Sequence, residues 1–274
     1  MGFILVDRIS GTSPGRARGV LKLPAGVDGA PACMAAEAVG QLAAWIAMER
    51  SGFCLRPVAG VAGKVLAPGK PPAAPLLDLE VEIESLDDRA VIYSGSALAS
   101  GREAVKLEAC LGPMLPIEKF DDPERMRSLH AELVSSGRSE GSSGPPEFPR
   151  IAPRRIEREG GIARAELEAP REARFYADHF PRRAVFPGTL LLDAMIRLAE
   201  PVAAASLGLP EGSAPSNVSV SGAKMRAFVE PGAILELEAS LERVDGSSAR
   251  LRLSARAARP VATAGVEITF EEAP

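Results

Sequence analysis

The chain has 274 residues, of which 46% are hydrophobic and 25% charged, a balance typical of a globular protein with one large domain or two ordinary ones. The net charge of -4 argues against nucleic-acid binding, and no apolar run approaches the roughly 20 residues of a membrane helix, so we expect a cytoplasmic protein. Three cysteines without paired spacing and two histidines argue against a disulfide framework and a zinc site.

The first half of the sequence predicts one buried helix followed by antiparallel strands. Residues 33–48 follow Pro31 and are almost wholly apolar apart from Glu37 and Gln41, which is typical of a helix buried on all sides. Residues 77–84 alternate apolar and acidic side chains, as in a strand with one solvent-facing side. Further strands are predicted at residues 90–98 and 103–111, so this half has α+β character.

The apolar periodicity lapses between residues 120 and 150. A polar Ser/Gly/Pro run at residues 135–146 has the composition of a linker. Before it, Asp122 as the cap and Pro123 at the first helical position predict a short helix that ends near Val134. His130 falls on this helix, and we expect it to be a surface or linker histidine without a catalytic role.

The second half repeats the order of elements seen in the first. A proline turn at Pro187 leads into an apolar helix, and strands are predicted at residues 234–239, 248–255 and 261–270. Because a lone sheet of this kind would expose its edges, we expect the two halves to pair edge to edge. The predicted divisions are an N-terminal domain (1–119), a linker with a short helix (120–150) and a C-terminal domain (151–274).

A motif in the second half carries a resemblance to a known family. His179-Phe180-Pro181 is followed by Pro187-Gly188 and then by Asp193, fourteen residues after the histidine. This resembles the signature of the bacterial 3-hydroxyacyl-[acyl-carrier-protein] dehydratases (FabA/FabZ-like), and the repeated blocks extend the resemblance to nearly all the chain outside the linker. It implies a hotdog fold, a sheet wrapped around one long helix. It also implies active sites between paired hotdogs, with the histidine from one and the acid from the central helix of the other.

The two halves differ in which parts of this site they retain. Only eight residues separate Lys22 from Pro31, which leaves no room in the first half for the family's histidine loop, although this half keeps Glu37 and Gln41 on one helix face. The second half has the histidine, but Arg197 stands at the position of the glutamine. We therefore expect a double hotdog with one competent site, formed by His179 opposite Glu37 and Gln41. The pseudo-site of Asp193 and Arg197 is expected to be inactive.

The predicted roles follow from elimination of water from a thioester, which needs a base, an acid and hydrogen-bond donors for the enolate oxygen. His179 is the predicted base and Glu37 the predicted acid, while Gln41 orients Glu37 or the leaving hydroxyl. The N–H of Gly188, in the first turn of its helix, is the predicted donor to the thioester oxygen. Contacts with substrate are predicted for four further residues: Phe180, Pro187, Arg182 and Arg183.

The expected function is dehydration of (3R)-3-hydroxyacyl thioesters to trans-2-enoyl thioesters in fatty-acid, polyketide or related acyl-chain synthesis, without a metal or other cofactor. Arg182 and Arg183 suit the phosphate of a phosphopantetheine arm, so acyl carrier protein and coenzyme A thioesters are both open as partners. Neither nucleic acid nor a membrane is an expected partner, and a homodimer of double hotdogs is left open. The alternatives are an acyl thioesterase and a catalytically silent acyl-binding or scaffold protein.

Overall fold

The computed structural model describes residues 3–24, 26–27, 29–138 and 148–271. This part of the chain contains three α-helices, α1 (Ala32–Arg50), α2 (Pro123–Ser135) and α3 (Gly188–Ser206), and two short 3-10 helices (Ile117–Lys119 and Arg174–Ala177). Its strands are β1 (Arg8–Ser13), β2 (Arg16–Lys22), β3 (Leu55–Pro57), β4 (Val61–Pro68), β5 (Leu76–Leu86), β6 (Ala90–Ala99), β7 (Arg102–Pro116), β8 (Arg154–Glu159), β9 (Ile162–Glu168), β10 (Asn217–Met225), β11 (Ile234–Asp245), β12 (Ser248–Arg256) and β13 (Pro260–Thr269).

One antiparallel sheet runs through both halves. Its order is β1-β2-β5-β6-β7-β4-β10-β13-β12-β11-β9-β8, and β3 pairs separately with β7. Counted inward from one edge, the strands of the first half are β1, β2, β5, β6, β7 and β4. Counted inward from the other edge, the equivalent strands of the second half are β8, β9, β11, β12, β13 and β10. The halves join where β4 pairs with β10, from Pro68 opposite Asn217 to Val61 opposite Lys224. The edge-to-edge pairing expected from the sequence is therefore present.

Each long helix packs against its own half of the sheet. The strands in contact with α1 include β2, β5, β6 and β7, and those in contact with α3 are β9, β11, β12 and β13. Every residue of α1 up to Met48 is at least partly buried, as its apolar composition predicts. The predicted α+β class, with a sheet around each long helix, is confirmed. In the described part of the chain, no helix has the length and apolarity that a bilayer crossing requires.

The short helix α2 packs against the N-terminal half. The side chain of Asp122 caps it by accepting hydrogen bonds from the backbone N–H groups of Glu124 and Arg125, and Pro123 occupies its first turn, as predicted. The expectation of a surface position for His130 is wrong. Its ring is 7% exposed and lies 6.1 Å from the Trp45 ring. Most of the predicted Ser/Gly/Pro linker, at residues 139–147, lies outside the described residues.

Candidate active site

A cavity of about 570 Å³ lies between α1 and α3. One face of each helix lines it, and the lining side chains repeat at helical spacing, with an acid at the centre of each face. The loop at residues 178–185, which carries the predicted histidine and is called the histidine loop below, contributes His179 and Phe180 to the cavity lining. The functional positions that line it on the two helices are Cys33, Glu37, Gln41, Gly188, Thr189, Asp193 and Arg197.

Glu37 accepts hydrogen bonds at both carboxylate oxygens. Gln41 Nε2 donates to Oε1 at 3.0 Å, and Thr189 Oγ1 donates to Oε2 at 2.9 Å. The second bond joins the two halves, because Glu37 belongs to α1 and Thr189 to α3. Thr189 was not among the predicted site residues, although its position four residues before Asp193 in the motif helix places it on the same helix face as that acid.

Gln41 is held by the N-terminal segment as well as by Glu37. Its Nε2 atom also donates to the carbonyl oxygen of Phe3 at 2.8 Å, and its Oε1 atom accepts from the backbone N–H of Leu5 at 2.7 Å. Both N–H groups and the carbonyl of the amide therefore have partners within the protein. This arrangement suits Gln41 to orienting Glu37 rather than to contacting a substrate.

His179 is fixed by one hydrogen bond and two aromatic rings. Its Nδ1 atom lies 2.8 Å from the carbonyl oxygen of Val185, so a neutral ring that donates from Nδ1 keeps Nε2 as a proton acceptor. The ring stacks on Phe180 at 4.2 Å between centroids and meets Phe3 edge-on at 5.5 Å. Burial lowers the pKa of His179 below its ordinary value of 6.5, and the charge of Glu37 opposes this shift.

The residue before the histidine ties its loop to the rest of the protein. Asp178 Oδ2 accepts from the backbone N–H of Phe3 at 2.9 Å, and Oδ1 accepts from Arg125 at 3.0 Å. Since the carbonyl of Phe3 accepts from Gln41, a continuous chain of bonds joins the histidine loop to α1. Neither Phe3 nor Asp178 was among the predicted site residues, because neither belongs to the motif triplet.

Three further predicted residues lie at the cavity or beside it. Gly188 is the first residue of α3 and lines the cavity, and a Cβ atom there would lie 3.3 Å from the side chain of Met225. Pro187 is buried and precedes the helix. Phe180 lines the cavity next to His179. The helix start therefore lies at the cavity wall, as its predicted role as a donor requires.

The two predicted arginines lie on the outer side of the histidine loop. Arg182 Nη2 donates to Asp122 Oδ2 at 2.8 Å, and the guanidinium of Arg183 lies 4.6 Å from the ring centre of Phe228. Both residues are exposed, and neither lines the cavity. Because an exposed ion pair contributes little free energy, Arg182 can exchange Asp122 for an incoming anion at small cost.

The acid of the second helix has different partners. Arg197 Nε donates to Asp193 Oδ2 at 2.9 Å, the i,i+4 pairing expected from the sequence, and Arg197 Nη2 donates to the carbonyl of Ile151 at 2.6 Å. Burial and the neighbouring Asp193 raise the pKa of the Cys33 thiol. The helix positions Cys33, Glu37 and Gln41 thus correspond to Thr189, Asp193 and Arg197. Glu37 and Arg56, rather than Asp193, are the charges that act on the pKa of His179, and His130 lies on α2.

Thr189 gives the first test of the geometry around Glu37. Thr189→Val removes the hydroxyl while keeping the side-chain shape, so we expect a loss of roughly 3- to 10-fold in kcat, equivalent to one hydrogen bond of about 0.5–1.5 kcal/mol. Thr189→Ser keeps the donor and should stay within about 2-fold of the unchanged protein. Steady-state rates on a 3-hydroxyacyl thioester measure both effects, and equal rates for the two variants would contradict a role for this bond.

Part of the chain matches known proteins in sequence. A family model described as a FabA-like domain matches residues 151–264. The 3-hydroxyacyl-[acyl-carrier-protein] dehydratase FabZ of Rhizorhabdus wittichii is 38% identical over 74 residues, which cover 27% of this chain and 47% of that protein. The chain spans about half the length of the curated relatives it matches.

Solved structures resemble nearly the whole chain in fold. A hot dog fold protein of unknown function from Alicyclobacillus acidocaldarius aligns with a TM-score of 0.50 and 10% identity, over 99% of this chain and 98% of that one. An acyl-ACP thioesterase from Bacteroides thetaiotaomicron aligns with a TM-score of 0.51 and 12% identity, over 94% and 98%. At these identities the likeness concerns the fold alone.

The fold and the cavity between its two central helices define a double-hotdog protein. Residues 151–264 match the model of a FabA-like domain, and part of the chain is similar in sequence to FabZ dehydratases.

Proposed function

We propose that the chain removes water from (3R)-3-hydroxyacyl thioesters to give trans-2-enoyl thioesters. The observation that carries the proposal is the meeting of Glu37 from the first half and His179 from the second in one cavity. Burial lowers the pKa of His179, and the charge of Glu37 acts in the opposite direction, which agrees with the two side chains lining one cavity. The match of residues 151–264 to a FabA-like domain and the partial similarity to FabZ dehydratases support the reaction class.

In the proposed reaction, His179 Nε2 takes a proton from the carbon next to the thioester carbonyl. The electron pair of that C–H bond moves through the enolate to form the carbon–carbon double bond as the C3–O bond breaks. Glu37 gives its proton to the departing hydroxyl, which leaves as water. The N–H of Gly188, with the dipole of α3 behind it, donates to the thioester oxygen as negative charge develops there.

The hydrogen bonds around Glu37 fix its position in the cavity. Thr189 and Gln41 hold the carboxyl group in one orientation. Gln41 acts as a positioning residue, because its amide is bonded to Phe3, Leu5 and Glu37. A correctly oriented acid at this position is what departure of the hydroxyl requires.

The carrier side of the substrate is assigned to the outer face of the histidine loop. Arg182 and Arg183 are exposed there, and the two are suited to a phosphate of the phosphopantetheine arm. Phe180 lines the cavity on the same segment, and Pro187 is the buried residue before α3. Acyl carrier protein is the proposed carrier, and coenzyme A shares the arm and its phosphate chemistry.

The opposite end of the cavity is proposed to be catalytically silent. The charge of Arg197 neutralises that of Asp193. Cys33 interacts with Asp193 across the cavity, as Thr189 interacts with Glu37. In this proposal the N-terminal hotdog (1–119) supplies the acid and the C-terminal hotdog (151–274) supplies the histidine. Residues 120–150 connect the two.

A two-product assay tests the proposed function. The purified chain is incubated with a (3R)-3-hydroxyacyl carrier thioester, and the enoyl product and the free thiol are measured separately. We expect enoyl thioester without release of thiol. Release of thiol without enoyl product would show a thioesterase, and binding of the substrate without either product would show an acyl-binding protein; both results would overturn the proposal.

The pH dependence of the rate follows from the burial of His179. Since burial lowers its pKa below 6.5, the neutral ring is the main form at pH 6.5 and above, and protonation removes the base only at lower pH. We expect kcat/KM to fall below pH 6.5 as the pH drops through the lowered pKa of His179, because protonation removes the base. A profile of kcat/KM from about pH 5 to 8 measures this. An acid limb with its midpoint above 6.5 would contradict it.

A further inference from the structure

A buried arginine from the N-terminal half contacts the histidine loop. Arg56 lies on β3, and its side chain is 14% exposed. Its Nη1 atom donates to Asp121, whose side chain is 1% exposed, and its guanidinium lies 4.4 Å from the ring centre of Phe180. Phe180 in turn stacks on His179 at 4.2 Å. The contacts therefore run without a break from Asp121 through Arg56 and Phe180 to the histidine.

The position of this arginine indicates more than an internal ion pair. Arg56 lines the same cavity as Glu37 and His179. It is held by Asp121, which follows the 3-10 helix at Ile117–Lys119. The helix α2 begins two residues after Asp121. The backbone of the same segment also holds the loop, since the carbonyl of Phe120 accepts from the N–H of Arg182 at 2.9 Å. The segment that connects the two halves is thus also a support for the histidine loop.

We propose that Arg56 is a positioning residue for His179: anchored by Asp121, its planar guanidinium holds the Phe180–His179 ring stack and places a fixed positive charge at the histidine end of the cavity. The proposal rests on the proposed function for its effect on rate. A lysine would keep the charge but could not offer the same planar surface to Phe180. The geometry therefore predicts different outcomes for Arg56→Gln and Arg56→Lys.

The charges around His179 define the expected effect on its titration. Glu37 faces it from α1, Arg56 from β3, and Asp121 and Arg125 from the segment that begins α2, with Asp178 next to it in the chain. Glu37 raises the pKa of His179 and Arg56 lowers it. Removing the positive charge of Arg56 should therefore move the pKa of His179 upward.

NMR titration of the two histidines tests the proposal, with kcat and KM measured on the same samples. In Arg56→Gln we expect an upward shift for His179, none for His130, and a kcat about 10- to 100-fold lower with KM little changed. Arg56→Lys should keep the titration of His179 near that of the unchanged protein while still lowering kcat, because the charge is restored without the planar contact.

Arg127 provides a matched control at the other histidine. Its guanidinium lies 5.3 Å from the ring centre of Phe53, and that ring lies 5.5 Å from His130. Arg127→Gln removes an arginine–aromatic–histidine contact of the same kind away from the cavity. We expect it to leave kcat and the titration of His179 unchanged.

Three results would overturn the proposal. The first is a folded Arg56→Gln variant in which kcat and the titration of His179 match the unchanged protein. The second, which decides the matter if Arg56→Gln does not fold, is an Arg56→Lys variant with unchanged kcat. The third applies if the unchanged chain shows no dehydration activity. In that case, an Arg56→Gln variant in which His179 titrates as in the unchanged chain would overturn the proposal. That last case separates failure of this proposal from failure of the proposed function, because the titration needs no turnover.

Discussion

Replacement of His179 by asparagine is expected to lower kcat for dehydration by about 10²- to 10⁴-fold, the usual contribution of a general base. Asparagine can still donate a hydrogen bond toward the carbonyl of Val185, the partner of the imidazole Nδ1 in the native site. It cannot accept the substrate proton at the position of Nε2. The loss should therefore concern the chemical step, with KM changing by no more than about 3-fold. Steady-state kinetics with a 3-hydroxyacyl carrier thioester measure both constants.

His130 supplies the control for this substitution. It is the other histidine of the chain and packs among Trp45 and Phe53 away from the cavity. His130→Asn is expected to lower the melting temperature, because it removes a buried ring from a packed cluster, and to leave kcat unchanged. Loss of turnover in His130→Asn together with normal turnover in His179→Asn would contradict the assignment of the base.

The second large effect is expected at Glu37. Glu37→Gln keeps the size of the side chain but removes the proton that the leaving hydroxyl needs, so kcat should fall by about 10²- to 10⁴-fold. Asp193→Asn is the matched substitution on α3. Asp193 pairs with Arg197 away from the histidine loop, and we expect kcat to change by less than about 3-fold. Rates for the two variants under identical conditions measure the difference between the two ends of the cavity.

The comparison separates the composite site from the site that the motif by itself would suggest. Asp193 is the acid at the motif spacing within the second half, whereas Glu37 lies in the first half and bonds to Thr189 across the cavity. Unchanged melting temperatures would show that both variants are folded. Normal turnover in Glu37→Gln with loss of turnover in Asp193→Asn would place the active acid on α3 and contradict the cross-half arrangement.

The sequence predicted the elements whose pattern is strong. The helix around Glu37 is apolar on nearly all sides, and β5 alternates acidic and apolar residues, so both were recognised within a few residues of their bounds. The strand β8, with the sequence Arg154–Glu159, was missed because all its residues are exposed and it carries no apolar face. The first and last strands of the sheet, β1 and β8, lie at its free edges, where a mixed polar sequence leaves little signal.

The site residues that the sequence predicted lie either in one short motif or on one face of a helix. His179 and Gly188 lie in the motif, and Glu37 and Gln41 share a helix face, so their residue types and spacing point to the chemistry. Their roles stay a prediction.

Contacts between segments that are far apart in the chain could not be predicted from the sequence pattern. The bonds from Phe3 to Asp178 and from Arg56 to Asp121 each bridge residues far apart in sequence, and only the folded chain brings them together. Burial of His130 was also missed, because its neighbours on α2 are mostly polar and its apolar contacts come from Trp45 and Phe53. Thr189 is the exception, since its i,i+4 relation to Asp193 was readable in the sequence.

A double-mutant cycle between His179 and Glu37 tests most directly whether the two halves form one active site. The rates of His179→Asn, Glu37→Gln and the double variant are compared with that of the unchanged chain. Because groups that act together in one reaction are not additive, we predict that the double variant is about as slow as the slower single variant. Effects that multiply as independent factors would show that the two residues act separately, and would contradict a single site shared by the two halves.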